Sequence, residues 1–329
     1  MDLIAVLGNA LRAAFGPEAA IYALAAIGLN VHYGYTGLMN FGQVGFMLVG
    51  GYALAISVST LGLPLWVGLI NGVLAAIVLG LLLGLPTLRL RADYFAITTI
   101  AASEILRLIV RSMPATDITG GVFGLQGFAS GFYRANPIPT GRYGIGLFSY
   151  PSGRLWPLVV SWLVVAVATV TVWRLARSPW GRLLRSIRED EDAARSLGKD
   201  VFAYKMQSVL LGGVLGGMAG VLFVVTPNAA NPDSFLPQVT FFAYAILILG
   251  GAATTFGPIL GSIIFWFLVS GTDSLLREAA SAGALPTFMT SGDAIGASRF
   301  VLVGLGLMLL MIYRPQGILG NRREISLGL

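Results

Sequence analysis

LWVGLINGVLAAIVLGLLLGL, residues 65–85, runs from Leu65 to Leu85 without one charged side chain. At about 1.5 Å per residue, a helix of that length reaches about 30 Å, the thickness of a bilayer's hydrocarbon core. The rest of the chain follows suit. Of its 329 residues 56% are hydrophobic and 11% charged, where a soluble domain carries about a quarter charged. A water-soluble fold of this length could not hide so much apolar surface, so lipid must solvate most of it. Strand-type alternation is absent, which argues against a barrel. The expected fold is an all-α polytopic membrane protein forming a single domain over 1–329.

Apolar runs lie near 18–34, 40–59, 65–86, 93–112, 155–175, 205–226, 238–250, 257–272 and 299–313. They predict about 8–10 transmembrane helices, counting short, broken or re-entrant Gly-rich segments. Residues 1–16 carry Asp2 before Arg12, the wrong order for a secretory leader. The chain has no cysteine and a single histidine, His32, so thiolate metal sites and a histidine metal cluster are excluded. Its only lysines, Lys199 and Lys205, close no phosphate-binding G-x-x-x-x-G-K-[ST] loop. Hydrolytic signatures are equally absent, so the expectation is no enzyme. The net charge of +6 is explained by arginines at the ends of apolar runs rather than by nucleic acid.

Those arginines orient the chain. Arg174, Arg177, Arg182, Arg185, Arg188, Arg195, Lys199 and Lys205 cluster between the fifth and sixth runs, which predicts a cytoplasmic segment at 176–204. Arg314, Arg322 and Arg323 predict a cytoplasmic C-terminus, and Arg89 with Arg91 the same side for the third connection. Residues 113–154, rich in Gly and Pro, then lie outside the cell. Two chargeless interruptions, GYTGLMNFGQVG (34–45) and GGAATTFG (250–257), read as breaks that meet inside the protein. Both contain Phe-Gly followed two residues on by a β-branched residue, Phe41-Gly42-Gln43-Val44 and Phe256-Gly257-Pro258-Ile259. The likeness raises an internal two-fold repeat, with chance as its competitor.

RSIREDEDAARSLGKD, residues 185–200, holds nine charges and five of the chain's fifteen acids. Ser186 with Glu189 reads as a capping box, which predicts a helix starting at Ser186. Glu189, Asp190, Glu191 and Asp192 would crowd its first turns, where the dipole favours negative charge, and Gly198 would end it. Ile187, Ala194 and Leu197 would share one side, and the small Ala193 and Ala194 would let another surface approach. A solvated, topology-setting loop and a docking helix both fit this pattern.

Asp192 to Gly198 resembles the E-A-A-x-x-x-G coupling motif of ABC importer permeases, with Asp in the Glu position. GYTGLMNFGQVGF (34–46), LRLRADYFAITTIAASEILRL (88–108), TGGVFGL (119–125), SPWGRLLRSIREDEDAARSLG (178–198), LGGAATTFGPILG (249–261) and YRPQGILG (313–320) resemble, in order, blocks of branched-chain amino-acid ABC permeases of the LivM type. The resemblance implies an importer subunit of a bacterial-type inner membrane. It would pair with a second homologous permease, two cytoplasmic ATPase subunits and an extracytoplasmic substrate-binding protein. ATP and Mg would be bound on the ATPase partners and no cofactor on this chain. Ser186, Glu189, Glu191, Asp192, Ala193, Ala194 and Gly198 would form the coupling helix. Many relatives read S-L-G-H where this chain has Asn40-Phe41-Gly42-Gln43, which leaves transport intact and opens the substrate to urea, short amides or other neutral amino acids.

The residues themselves offer pathway candidates. Glu104 and Arg107 stand one turn apart on the fourth run, either lining a cavity or locking two helices. Asp93, beside Arg89 and Arg91, reads as capping that helix at the membrane edge. Asn40 and Gln43 lie in the first break, facing a substrate carboxylate or repairing backbone bonds. Thr98, Thr99 and Ser103 would line the same cavity or bond back to their own helix. His32 has a claim as a pH sensor and a stronger one as a structural residue. A proton-coupled secondary transporter using Glu104 is the competing reading from another class. It gives the coupling motif and the terminal YRPQG block no role.

Overall fold

The computed structural model describes residues 3–88, 92–145, 148–283, 291–314 and 316–320. Helices α1 (Leu3–Ala14) and α2 (Pro17–Leu29) lead into a π-helical segment, Asn30–Tyr35, followed by α3 (Gln43–Ser59), α4 (Leu65–Thr87) and α5 (Ala92–Arg111). Short pieces come next: α6 (Thr116–Thr119), β1 (Leu125–Gln126), α7 (Ser130–Arg134), and β2 (Arg142–Ile145) paired with β3 (Phe148–Pro151). The second half comprises α8 (Ser152–Arg177), α9 (Pro179–Glu189), α10 (Glu191–Ser196), α11 (Val201–Val225), β4 (Ala229–Ala230), α12 (Gln238–Gly250), α13 (Gly257–Ser281) and α14 (Gly292–Tyr313). Among the described residues six helices are long and apolar enough to cross a membrane. A seventh span is added if the first two helices, bent by 42° at Phe15–Gly16, count as one. The chain is an all-α polytopic membrane protein.

Helix α11 is the hub, packing against α2, α3 and α4. Lipid tails are as apolar as leucine, so helices in a bilayer associate through close packing rather than hydrophobic burial. Glycine supplies that closeness. A Cβ at Gly220 would stand 1.9 Å from the Met47 carbonyl oxygen, and one at Gly50 2.4 Å from that of Gly217. The lipid-facing side of α4 leaves Trp66, Leu74, Val78 and Leu82 exposed.

The bundle has two unlike ends. At one, β1 pairs antiparallel with β4. Asn228 there joins the 113–151 segment to the end of α11, accepting from Gly127 N at 3.0 Å through its carbonyl and from Ala129 N at 2.6 Å through its side chain. The other end gathers α9, α10, the 30–42 break and the 251–256 connection. The C-terminal block packs there too, with Ile318 N and Leu319 N donating to Leu249 O and Gly250 O at 3.0 Å each.

Three features differ from the sequence reading. Helix α1 precedes the first apolar run. Helix α13 continues well past the run ending at 272, because an Asp273–Arg277 pair at 2.8 Å supports a polar turn that apolar counting misses. GGAATTFG therefore joins a short α12 to a full-length α13, not two short halves. Arg89, Arg91, Arg322 and Arg323 lie outside the described residues, and Asp93 stands in the first turn of α5.

Candidate functional site

The charged stretch folds as two helices, not one beginning at Ser186. Pro179 occupies the first position of α9, where its missing N–H costs nothing, and Ser178 is the extended residue before it. Ser186 lies inside α9 with its hydroxyl donating to Leu183 O at 2.9 Å. The capping carboxylate belongs to Asp190, which accepts from Ala193 N at 2.9 Å and opens α10. Ser186 falls inside a helix that Pro179 has already begun, whereas Asp190 has the extended backbone from which a side chain can cap the next helix. Gly198, at φ +74°, ends α10 as expected.

Ion pairs bind the unit together. Glu191 accepts from Lys205 on α11 and from Arg195 at 2.9 Å, and Asp192 accepts from Arg195 at 3.1 Å. Asp200 caps α11 through Ala203 N at 3.0 Å. Ile187, Ala194 and Val201 form a small core under Leu183 and Tyr204. Ala194 is therefore interior, whereas Leu197 is 78% exposed and does not join Ile187 and Ala194 as the helical spacing implied. The single break at Asp190 shifts the phase between α9 and α10. The exposed tip is Asp192, Ala193, Leu197 and Gly198.

Beside this unit the two breaks meet. Asn30 donates through Nδ2 to Thr254 O at 2.7 Å and accepts through Oδ1 from Ala253 N at 2.8 Å. Asn40, fully buried, donates through Nδ2 to His32 Nδ1 at 3.0 Å and to Gln43 Oε1 at 3.1 Å, and accepts from Gly42 N at 2.9 Å. With Nδ1 accepting, the His32 tautomer carries its proton on Nε2 and donates to Val209 O at 3.2 Å. Gln43 Nε2 donates to Gly212 O at 3.2 Å. These amides and the imidazole satisfy one another and freed backbone, the repair role, as buried polar groups in a bilayer must. Phe41 N donates to Thr99 Oγ1 at 3.2 Å, bringing α5 into the cluster. Tyr244 on α12 donates to Asn40 O at 3.1 Å. Each Phe-Gly pair stands at the start of a helix, α3 or α13.

Glu104 and Arg107 belong to a separate cluster. Arg107, 8% exposed, donates through Nε to Glu104 Oε2 at 2.9 Å and through Nη1 to Asp233 Oδ1 at 3.1 Å, while Arg111 reaches the same Asp233 oxygen at 3.1 Å. This ties α5 to the turn before α12. Ser103 bonds back to Ile100 O at 2.8 Å, and Thr98 is half-buried on the same helix. Asn30 and Asp233 were not picked out from sequence. The signal for Asn30 was there: an amide inside an apolar run needs a partner.

At the opposite end lies a cavity of about 890 Å³ lined by Arg12, Glu18, Tyr150, Arg154, Asp273 and Arg299 among others. Its lining mixes both signs of charge with aromatic surface.

A family model described as branched-chain amino acid transport system / permease component matches residues 17–312. The chain is 34% identical over 315 residues to the high-affinity branched-chain amino acid transport system permease protein LivM of Escherichia coli (strain K12), covering 92% of this chain and 68% of that one. A probable branched-chain amino acid transport permease protein LivM of Methanocaldococcus jannaschii is 26% identical over 93% of this chain and 92% of its own length. The nucleoside ABC transporter permease protein NupC of Lactococcus lactis subsp. cremoris is 27% identical over 71% of this chain and 73% of its own.

Proposed function

The chain belongs to the branched-chain amino acid permease family of ABC transporters, and from that premise we propose that it carries branched-chain or other small neutral amino acids across the inner membrane by docking cytoplasmic ATPases through α9 and α10. The observation that carries the docking reading is the α9–α10 unit itself. In a largely apolar chain this unit is ion-paired, capped at Asp190 and packed on α11, and it leaves Leu197 exposed at its tip. An apolar side chain held out into water on a charged projection gains by being covered, and a partner groove would cover it. In this reading 176–204 faces the cytoplasm with the C-terminal block, and 113–154 faces outward. Two ATPase subunits, a second homologous permease and a substrate-binding protein complete the importer, with ATP and Mg bound on the ATPases.

The substrate class rests on the LivM relatives, supported by the outer cavity, where Arg12 and Arg154 with Glu18 and Asp273 suit a zwitterion better than a neutral nucleoside. The nucleoside-permease relative keeps nucleosides as the second reading, and the Gln43 position keeps urea and short amides as a third. Competition for binding to the partner binding protein among leucine, alanine, adenosine and urea separates them. Leucine is expected to win, and preferential adenosine binding contradicts the amino-acid reading.

A further inference from the structure

Arg177 and Arg182 at the α8–α9 corner act close to home. Arg177 lies 4.4 Å over the Trp173 ring, and Arg182 donates to Arg177 O at 3.2 Å. Arg185 donates to Ala176 O at 2.9 Å and adds a stacking contact 5.7 Å over the Tyr35 ring of the first break. Arg188 reaches into the same break. Its Nη1 donates to the carbonyl of Gly34, inside the break between α2 and α3. Its stem lies against Gly37, where φ is +76° and a Cβ would stand 3.0 Å from Arg188 Cγ. From Gly34 the contact continues. A Cβ there would meet Ala253 N at 2.6 Å, and Asn30 holds Ala253 and Thr254 from the same side. Arg188 thus joins the charged unit directly to the first interruption, which Gly34 and Asn30 hold against the second.

The unit can carry a push. Ile187 on α9 and Ala194 on α10 share one core with Val201 of α11, so a displacement of α10 presses on α9. On the docking reading given above, on which this step rests, we propose that Arg188 is the positioning residue that transmits ATPase movement from α9–α10 to the paired breaks. A charge-assisted bond to a carbonyl at a helix break suits this role, because it resists both stretching and exchange with a neutral partner.

The test uses the assembled importer in proteoliposomes, reading ATP hydrolysis, uptake of labelled leucine and ATPase co-purification together. R188Q is expected to keep the ATPases bound and hydrolysis within about twofold, while uptake per ATP falls about tenfold, the worth of one charged hydrogen bond. R188K should recover part of the ratio. Unchanged uptake per ATP in R188Q overturns the proposal, and so does loss of the ATPases, which would make Arg188 a docking residue. L197D is read in parallel: if it keeps its ATPases, the docking reading itself fails, independently of Arg188. Because the chain has no cysteine, a Gly37→Cys, Arg188→Cys pair gives a second measurement. A Cβ at 37 would lie 3.6 Å from Arg188 Cβ, within the range of about 3.5–4.5 Å for a disulfide. Oxidation is expected to raise uptake above that of the same sample reduced. No rise, or a fall, means that the two segments do not move as one.

Discussion

The Asn30 carboxamide brackets Ala253 and the residue after it, accepting from Ala253 N at 2.8 Å and donating to Thr254 O at 2.7 Å. Residues 223 and 224 apart in sequence are thereby paired like neighbours in a sheet, and the first break is stapled to the second. Asn30→Ala removes both bonds and leaves two half-buried backbone groups without their partner, at a cost of about 1–3 kcal/mol. Thermal unfolding of the detergent-purified protein should show a clearly lower midpoint. A midpoint equal to that of the parent contradicts the staple.

The same physics applies around Asn40. His32→Phe removes the side-chain bond to Val209 O and one of the two bonds of Asn40 Nδ2, which keeps Gln43 Oε1. Stability should fall by about 1–3 kcal/mol. An unfolding midpoint that stays put while the pH dependence of uptake changes would instead favour the sensor role for His32.

Docking and core roles separate within α10. Leu197→Asp touches only the exposed tip, so the protein should insert and unfold normally while ATPase association weakens about tenfold or more. Ala194→Glu buries a charge among Ile187, Val201 and Tyr204 and should lower the melting midpoint before any partner is added. Co-purification and melting curves on the two variants check both halves, and reversed phenotypes contradict the assignment of faces.

Arg107 joins Glu104 and Asp233. Arg107→Met removes the cation paired with Glu104 and leaves Asp233 to Arg111, and it should destabilise the α5 contact by about 1–2 kcal/mol, below the range for a fully buried pair because both acids are partly exposed. Glu104→Gln keeps a hydrogen-bond acceptor for Arg107 and should retain ATP-driven uptake. Abolished uptake with intact folding in Glu104→Gln would revive Glu104 as a proton carrier.

Much of this was legible beforehand, and the residues show why. The run 65–85 is α4 almost residue for residue, because a bilayer demands an apolar helix and nothing else there competes. The two Gly-rich breaks fell where glycine and missing periodicity placed them. Ser186 misled because its capping-box pattern is satisfied by sequence spacing alone, whereas Pro179 had already started the helix seven residues earlier. Leu197 misled for a related reason: one cap at Asp190 resets the helical phase, and a single wheel drawn through it puts Leu197 inside. Asn30 and Arg188 were silent because their partners, at 253–254 and 34, are fixed by tertiary packing that no local pattern encodes. The Gly220–Met47 approach is similarly invisible until α11 is seen against α3.

Reconstituted uptake shows whether this permease moves its substrate only as part of an ATP-driven complex. The chain is placed in proteoliposomes with and without its second permease, ATPase subunits and binding protein, under either ATP or an imposed proton gradient, and labelled leucine is counted inside. Accumulation is expected only with the full set of partners and ATP, with the proton gradient having no effect. Leucine accumulation by this chain alone, driven by the proton gradient, would contradict it.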